Sequence, residues 1–299
     1  MASFKELSEF LLFQIAKAPL SLLPRKLCLF LGKTLGLSFY YLDRRHRLIA
    51  LSNLKIAFGK ELFASELKRI ARNSFIHFGK AFMDIIKLPH LREKKRNALI
   101  NVEGEENLLE ALREKKGALL FSAHYGSWEI APFFLSKKGK LSVIARPLDN
   151  KLLEKELLKL RTSQGSNVIY KHQATKKILH SLRGREMVAF LIDQNVLRQQ
   201  AVFVDFFGKK AATTPSLAAF FLRTKSPLIP VFCYPTSSHA YHLKIFSPLS
   251  ITSGGNYNQE VLKITQICTK IIEIQIRKNP DYWFWFHNRW KTRPEEEEA

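Results

Sequence analysis

The stretch Ala118-Leu-Leu-Phe-Ser-Ala-His124-Tyr-Gly126-Ser-Trp-Glu129 predicts a buried strand that ends beside a histidine. Its first six residues carry no charge, as a strand buried on both faces requires, so His124 would stand at the edge of a sheet. Gly126 lets the chain turn, and Ser127-Trp128-Glu129 is expected to open a helix. Residues five apart on a regular helix differ by roughly 140° around the axis, so His124 and Glu129 meet only if the chain bends. We predict that His124 is a general base oriented by Glu129.

The spacing of this pair is weak support when taken alone. Nine histidines and 26 acidic residues in 299 positions predict roughly 0.8 such pairs by chance. The alternative is a core strand followed by a histidine that bonds to a backbone carbonyl. The local residues favour neither interpretation over the other, so the rest of the chain must decide.

Strand-like and helical patterns alternate through most of the chain. Strands are predicted at 118–123, 141–145, 167–170, 187–192, 202–206, 228–234 and 241–246. Helices are predicted at 65–88, 150–161, 174–182, 216–224 and 257–277. This alternation is typical of an α/β fold, in which helices cover the faces of a sheet and ligands bind at the carboxyl ends of its strands.

Polar side chains stand at the ends of three predicted strands. His124 follows the first, Arg146 closes the second, and Asp193 with Gln194 follows the fourth. An arginine at this edge can hold a phosphate with two hydrogen bonds. The alternatives are a surface arginine and a turn rich in Asp and Asn. These alternatives can each account for a single residue. They account less well for three polar groups that stand at the same end of three strands.

Two further segments carry possible binding residues. Thr214 is predicted to cap a helix that begins at Pro215, and the free amides there can meet an anion. The segment 281–294 holds three of the four tryptophans beside basic side chains. It is typical of a surface that enters lipid, although nucleic-acid stacking or core packing would use the same residues.

The charge of the chain limits its possible partners. It has 48 Lys and Arg against 26 Asp and Glu, a net charge of +22, so we expect an anionic partner. Twenty-three Phe and four Trp favour an enzyme at an anionic membrane surface over a nucleic-acid-binding protein, the alternative of another class. The three cysteines make no metal-binding spacing, and no dinucleotide, P-loop, zinc-protease or serine-hydrolase motif is present. No cofactor and no metal are predicted.

The N-terminal residues suggest contact with a membrane. Residues 7–15 and 27–42 are apolar, but charges and prolines interrupt them, and neither reaches the roughly 18 apolar residues of a spanning helix. Helices lying in the membrane interface are expected, with the basic residues after Leu42 facing anionic lipid on the cytoplasmic side. The domain prediction is an anchoring segment at 1–45 and a catalytic domain at 46–299. Core helices of a soluble domain are the alternative.

Together these motifs resemble the late (secondary) acyltransferases of lipid A biosynthesis, the lauroyl/myristoyl transferase family of the glycerolipid acyltransferase superfamily. The likeness runs through His124-Tyr-Gly-Ser-Trp-Glu129, Arg146-Pro-Leu-Asp-Asn150, Asp193-Gln194, Phe206-Phe-Gly208 with Thr213-Thr-Pro215, and Trp283-Phe-Trp-Phe-His-Asn-Arg289-Trp-Lys-Thr-Arg-Pro294. His287-Asn288-Arg289 departs from the pattern, because relatives often carry another arginine there.

The resemblance implies a fold, a reaction and a site. The fold would be a mixed central sheet flanked by helices, like that of glycerol-3-phosphate acyltransferases. The reaction would transfer a fatty acyl chain from acyl carrier protein to a hydroxyl of a membrane glycolipid, on a monotopic or singly anchored enzyme at the cytoplasmic face of a bacterial inner membrane. A glycerophospholipid or lysophospholipid acyltransferase is the closer alternative.

The resemblance also assigns roles to residues of this chain. His124 would remove the proton of the acceptor hydroxyl, and Glu129 would hold the imidazole. Substrate binding would fall to Arg146, Asn150, Asp193, Gln194, Thr214 and Arg289. For the oxyanion that forms during transfer, the backbone amides of residues 125–127 are the expected donors.

Overall fold

The computed structural model describes residues 3–163, 165–171, 174–252 and 254–295. Eleven α-helices lie within these residues: α1 Phe4–Leu22, α2 Arg25–Leu42, α3 Arg44–Phe58, α4 Ala64–Lys87, α5 Glu93–Asn97, α6 Glu105–Arg113, α7 Ala131–Leu135, α8 Lys151–Thr162, α9 Ala174–Arg183, α10 Ser216–Thr224 and α11 Tyr257–Lys278. The nine strands are β1 Ile100–Glu103, β2 Ala118–Ser122, β3 Leu141–Ala145, β4 Ser166–Tyr170, β5 Met187–Leu191, β6 Val202–Phe206, β7 Lys209–Thr213, β8 Leu228–Pro235 and β9 Tyr241–Ile245.

Seven strands form one mixed sheet in the order β1-β9-β8-β2-β5-β3-β4. The five strands from β8 to β4 are parallel, while β9 is antiparallel to β8 and parallel to β1. The remaining strands, β6 and β7, pair with each other in a separate hairpin. The α/β class and the mixed sheet flanked by helices are therefore confirmed.

Most predicted elements lie within one or two residues of their expected bounds. The short strands β1 and β7 were not predicted from the sequence. The helix predicted to begin at Ser127-Trp128-Glu129 begins later, because residues 128–130 form a turn and α7 starts at Ala131. Pro132 in the first turn of α7 is compatible with this start, because a proline there removes no helical hydrogen bond.

Strand β2 lies at the centre of the sheet and separates two apolar cores. Leu119 and Phe121 lie in the larger core, and Ala118 and Leu120 lie in the smaller one on the other face. All four are buried, which explains why the strand shows an unbroken apolar run rather than an alternating pattern. The strand is thereby fixed from both sides, and the residues that follow it are held at the sheet edge.

The tryptophans of segment 281–294 are part of the larger core. Trp283, Trp285 and Trp290 are each at most 3% exposed, and Trp283 packs edge-on against Trp285 at 4.6 Å between ring centroids. The prediction that these rings enter lipid is wrong, and the core alternative is correct for them. Their area buried in the core stabilises the C-terminal segment against the sheet.

Helices α1 and α2 fold against the rest of the chain. At the crossing of α2 and α4, a Cβ added to Gly32 would lie 2.6 Å from the Gly79 carbonyl oxygen, and one added to Gly79 would lie 2.2 Å from the Gly32 oxygen. The two backbones therefore touch, as small residues permit. None of the described helices has a stretch both long and apolar enough to cross a bilayer.

The outward faces of α1 and α2 expose many large apolar side chains. They include Phe4, Leu7, Leu11, Leu12, Ile15, Leu22, Leu27, Phe30, Leu35, Phe39 and Leu42. Apolar surface of this extent marks a place where another apolar phase or partner binds.

Candidate active site

The sheet places His124 beside Asp193. In the β2–β5 pair Ser122 lies opposite Leu191, so His124 and Asp193 each stand two residues beyond the ends of neighbouring parallel strands. The His124 ring Nδ1 lies 2.8 Å from Asp193 Oδ1, and the His124 backbone amide donates to Asp193 Oδ2 at 2.9 Å. The carboxylate thus fixes both the ring and the backbone of the histidine.

Asp193 is buried and fully hydrogen-bonded. Its Oδ2 also accepts a bond of 2.8 Å from the indole Nε1 of Trp283. Burial alone would raise the pKa of Asp193, but the charge of the His124 imidazole and these hydrogen bonds outweigh it, and the pKa is lowered. An ionised Asp193 can accept a hydrogen bond from Nδ1, and in the neutral imidazole this tautomer leaves the lone pair of Nε2 free.

The predicted pairing of Glu129 with His124 is wrong. Both carboxylate oxygens of Glu129 accept from the guanidinium of Arg161, at 3.1 Å from Nε and 2.5 Å from Nη2. This ion pair raises the pKa of Arg161 despite the burial that opposes it. Residues 128–130 form a turn instead of the predicted helix, and the carboxylate of Glu129 lies against Arg161 of α8.

Gln194 contacts the other ring nitrogen of His124. Its Nε2 lies 3.3 Å from His124 Nε2, the atom that would act as the base. Since Nε2 has one lone pair, a substrate hydroxyl must take the place of the Gln194 amide before the ring can remove its proton.

The backbone amides expected to bind the oxyanion are already used. Tyr125 N donates to Ala123 O at 2.7 Å, Gly126 N to Tyr282 O at 2.8 Å and Ser127 N to Cys233 O at 2.7 Å. These bonds hold the turn after β2 against β8 and the C-terminal segment. The prediction that the three amides form an oxyanion site is therefore wrong.

Three predicted substrate-binding residues have structural contacts instead. Arg289 is 0% exposed and donates to Ala212 O and Thr213 Oγ1, both at 2.5 Å, so no substrate can reach it. Asn150 is buried, where it caps α8 and donates to Glu6 O in α1 at 3.0 Å. Thr214 Oγ1 accepts from the amide of Ser216, the first residue of α10.

Arg289 still contributes to the site through its charge. Burial lowers its pKa to about 10, while the negative charge of Asp193 opposes that shift, so the guanidinium stays protonated at neutral pH. A buried cation near Asp193 favours the ionised carboxylate in return. Arg289 is therefore a buried positive charge that interacts with Asp193.

A large groove opens in front of His124. Its volume is about 690 Å³, and its wall combines the His124 and Trp128 rings with α1, α4 and α8. Most of the lining is apolar, including Phe13, Phe82, Leu153, Leu157, Leu160 and Phe284. Arg146, whose side chain is 77% exposed, lies at the rim.

A narrow apolar slot continues from the groove beneath α7. It holds about 80 Å³ and is lined by Leu120, Val143, Ala189 and Val231 from four strands and by Ala131 and Leu135 from the helix. Trp128, Glu129 and Arg161 line both cavities. The Glu129–Arg161 pair therefore marks the point where a wide, partly polar groove meets a slot that suits only an apolar chain.

Two histidines close to the site are neutral, the buried His77 and the partly exposed His287. His77 Nε2 bonds to Gly126 O at 2.9 Å, and His287 Nε2 accepts from the Asn195 amide at 3.0 Å. Burial lowers the pKa of each to about 4 from 6.5. Neither ring carries a charge at neutral pH, and Nε2 of each is already hydrogen-bonded to the backbone.

These two histidines predict a loss of stability in acid. Because the unfolded chain takes up their protons near pH 6.5 and the folded chain only near pH 4, their contribution is full above pH 6.5 and is lost as the pH falls toward 4. Denaturant unfolding at pH 7 and pH 5 should show a larger loss of unfolding free energy in the natural chain than in the His77→Gln variant, by about 2 kcal/mol over this interval. Equal losses would contradict the burial of a neutral His77.

An imidazole–carboxylate pair at the mouth of an apolar groove is typical of enzymes that activate a nucleophile beside an apolar substrate. A model of the bacterial lipid A biosynthesis acyltransferase family matches residues 2–292. The chain belongs to this family, and it is an acyltransferase that acts on a lipid acceptor.

Curated relatives agree with this membership. The palmitoleoyltransferase of lipid A biosynthesis from Escherichia coli K12 is 24% identical over 273 residues, 91% of this chain and 87% of the relative. The lauroyltransferase of the same organism is 22% identical over 89% of this chain and 85% of the relative. A phosphatidylinositol mannoside acyltransferase from Mycobacterium tuberculosis CDC 1551 / Oshkosh is 23% identical over 71% and 67%.

Proposed function

We propose that the chain transfers a fatty acyl group from acyl carrier protein to a hydroxyl of a lipid A precursor, with His124 as the base and Asp193 as its orienting partner. The observation that carries this proposal is the hydrogen-bonded His124–Asp193 pair facing the apolar groove. The base is the one that the sequence predicts, but its partner differs.

The chemistry follows from the two ring nitrogens. As the hydroxyl oxygen attacks the thioester carbonyl, Nε2 of His124 takes its proton, and Asp193 stabilises the imidazolium through Nδ1. The tetrahedral intermediate then expels the thiolate of the carrier, which receives the proton from Nε2, and an ester remains. The Gln194 amide, displaced from Nε2 by the hydroxyl, is positioned to donate to the oxyanion.

The slot beneath α7 is proposed to hold the acyl chain. It begins beside Glu129 and Arg161, and its floor is formed by small and branched side chains of the sheet. Burial of each methylene there contributes about 0.8 kcal/mol. The thioester would then lie at the junction of the two cavities, in front of the base.

Enlarging Ala189 should shorten the preferred chain. Ala189→Met places extra volume in the slot, so kcat/KM for the longest accepted acyl donor should fall about tenfold or more relative to a donor four carbons shorter. The ratio of the two donors measured with one enzyme preparation serves as its own control, because a folding defect lowers both rates alike. An unchanged ratio would show that the chain lies elsewhere.

The acceptor is proposed to approach from the membrane side of the groove. Arg146 at the rim can bind a phosphate of the acceptor or of the donor. The exposed apolar faces of α1 and α2 would enter the cytoplasmic leaflet of the inner membrane, with 1–45 as a monotopic anchoring segment and 46–299 as the catalytic domain. The net charge of +22 would attract both the acidic carrier protein and anionic lipid.

A reconstituted assay tests donor and acceptor together. The purified protein in mixed micelles is given the same acyl chain on acyl carrier protein or on coenzyme A, with a lipid A precursor, a lysophospholipid or a phosphatidylinositol mannoside as acceptor. Mass spectrometry should find the acylated lipid A precursor formed fastest from the carrier protein. Preference for the mannoside would support the activity named for the mycobacterial relative, and preference for the lysophospholipid would support the phospholipid alternative.

A further inference from the structure

A second pocket, with several charged residues in its lining, lies along α4 next to the groove. It is open to solvent and is lined by α2, α4 and the turn between β8 and β9, and its volume is about 410 Å³. Its cationic lining consists of Arg25, Lys33 and Lys80. Asn73, Ser127 and Ser237 add polar side chains to the lining. None of the roles assigned to the transfer reaction uses this pocket.

The helix crossing forces two lysines together. Lys33 follows Gly32 and Lys80 follows Gly79, the residues at which the backbones of α2 and α4 touch. A Cβ on Gly32 would lie 2.8 Å from the Cα of Lys80. Burial and the charge of Lys33 both lower the pKa of Lys80. Bringing like charges together costs free energy that a bound anion would offset.

The carboxylates of the pocket are bound to other groups. Asp84 is bound by the Arg25 guanidinium, at 2.8 and 2.9 Å, and by the Tyr241 hydroxyl. Asp281 Oδ2 accepts from Asn73 at 2.9 Å and lies 3.8 Å from Arg69, while its Oδ1 has no hydrogen-bond partner in the residues that the structure describes. Within the described part of the chain, neither Lys33 nor Lys80 has a carboxylate within ion-pair distance. Among the described residues, the pocket therefore has two lysines that form no ion pair with the protein.

The surface around the pocket points to lipid as the source of the anion. Phe30 precedes Lys33 by three residues, on the same side of α2, and is 57% exposed. Leu27 and Phe39 of the same helix are also exposed. A phosphate bound between the lysines would thus be adjacent to apolar side chains able to contact acyl chains. We propose that this pocket binds the phosphate of an anionic phospholipid headgroup.

The pocket is also connected to the catalytic turn. Ser127 and His77 line it, and His77 holds the Gly126 carbonyl in the turn that follows His124. A bound headgroup would therefore support the turn from behind. This inference goes beyond the transfer reaction, and binding is measured without turnover, so it can fail while the proposed reaction stands.

Binding of a soluble short-chain lipid tests the pocket. Dihexanoyl phosphatidylglycerol, kept below its micelle concentration, is titrated into the full chain and followed by native mass spectrometry and calorimetry. We expect one molecule per chain and at least tenfold weaker binding to the Lys33→Gln, Lys80→Gln double variant. The matched control, Lys176→Gln with Lys177→Gln on α9, removes the same charge from exposed positions and should bind within twofold of the natural chain.

Three results would overturn the proposal. Equal affinity for dihexanoyl phosphatidylcholine would remove the requirement for an anionic headgroup. Equal affinity for inorganic phosphate would assign the pocket to a free anion instead of a lipid. An equal loss of affinity in the control variant would show that the lower net charge of the protein, and not this pocket, causes the loss. If circular dichroism shows that the double variant does not fold, the Lys33→Gln single variant is used, because Lys33 is exposed. Its affinity for the lipid should fall about fivefold, and an unchanged affinity would contradict the proposal.

Discussion

Replacing His124 with alanine is expected to lower kcat for acyl transfer by about 10³-fold or more, because the acceptor hydroxyl then has no base within reach. The His124 ring lies at the groove and its side chain is 19% exposed, so the truncation should cost little stability. The measurement is the initial rate of ester formation with a saturating acyl donor, compared with the natural chain.

Membrane association provides the control for this variant. His124→Ala leaves the exposed faces of α1 and α2 unchanged, so its partition onto anionic vesicles should equal that of the natural chain. Activity within a few-fold of the natural chain would mean that His124 is not the base. Retention on nucleic acid at physiological salt, without binding to vesicles, would instead favour the nucleic-acid-binding alternative.

Replacing Asp193 with asparagine is expected to lower kcat by about 10²- to 10⁴-fold. The amide keeps the size of the side chain but removes the charge that stabilises the imidazolium, and its NH2 group can donate to Nδ1 and favour the wrong tautomer. KM for the donor should change little, since Asp193 is buried behind His124. The split between kcat and KM is measured with the donor and acceptor varied in turn.

The matched comparison is Glu129→Gln. Glu129 contacts Arg161 and not the imidazole, so its replacement should disturb the cavity junction and change KM for the donor. If Glu129→Gln mimics the loss in kcat while Asp193→Asn stays active, the pairing seen here is wrong and the pairing predicted from the sequence is right.

The sequence was sufficient to place His124, the proposed base, at the edge of the sheet. An uncharged run predicts β2, and the polar residue that ends it must lie at the sheet edge, so His124 was found without a structure. Asp193 was also placed at a strand end. The order of the strands in the sheet could not be predicted. The two strand ends meet because β2 and β5 are neighbours in the sheet, and no local sequence pattern contains that information.

The contact between Glu129 and Arg161 could not be predicted from the sequence for a related reason. Arg161 lies 32 residues further along, near the end of α8, and an isolated arginine in an amphipathic helix is usually a surface residue. Its role depends on how α8 packs over the groove. The pairing of His124 with Glu129 relied on sequence proximity, and the turn at 128–130 removed the helix on which it depended.

The prediction from composition was least accurate for the C-terminal segment 281–294. Tryptophans beside basic residues predict a membrane interface or a nucleic-acid surface equally well, and nothing local separates these from a core. The structure buries Trp283, Trp285 and Arg289 together, with the Trp283 indole bonded to Asp193. An arginine that fills a core through hydrogen bonds to carbonyls and a hydroxyl has the same sequence signature as one at the surface.

A double-mutant cycle between His124 and Asp193 tests the central claim most directly. Rates are compared for His124→Ala, Asp193→Asn and the double variant under one set of conditions. If Asp193 acts through the imidazole, Asp193→Asn should lower the residual rate of the His124→Ala enzyme by less than about threefold, because the group it orients is already absent. Multiplicative losses, with Asp193→Asn as damaging in the absence of the imidazole as in its presence, would contradict the pair as the catalytic unit.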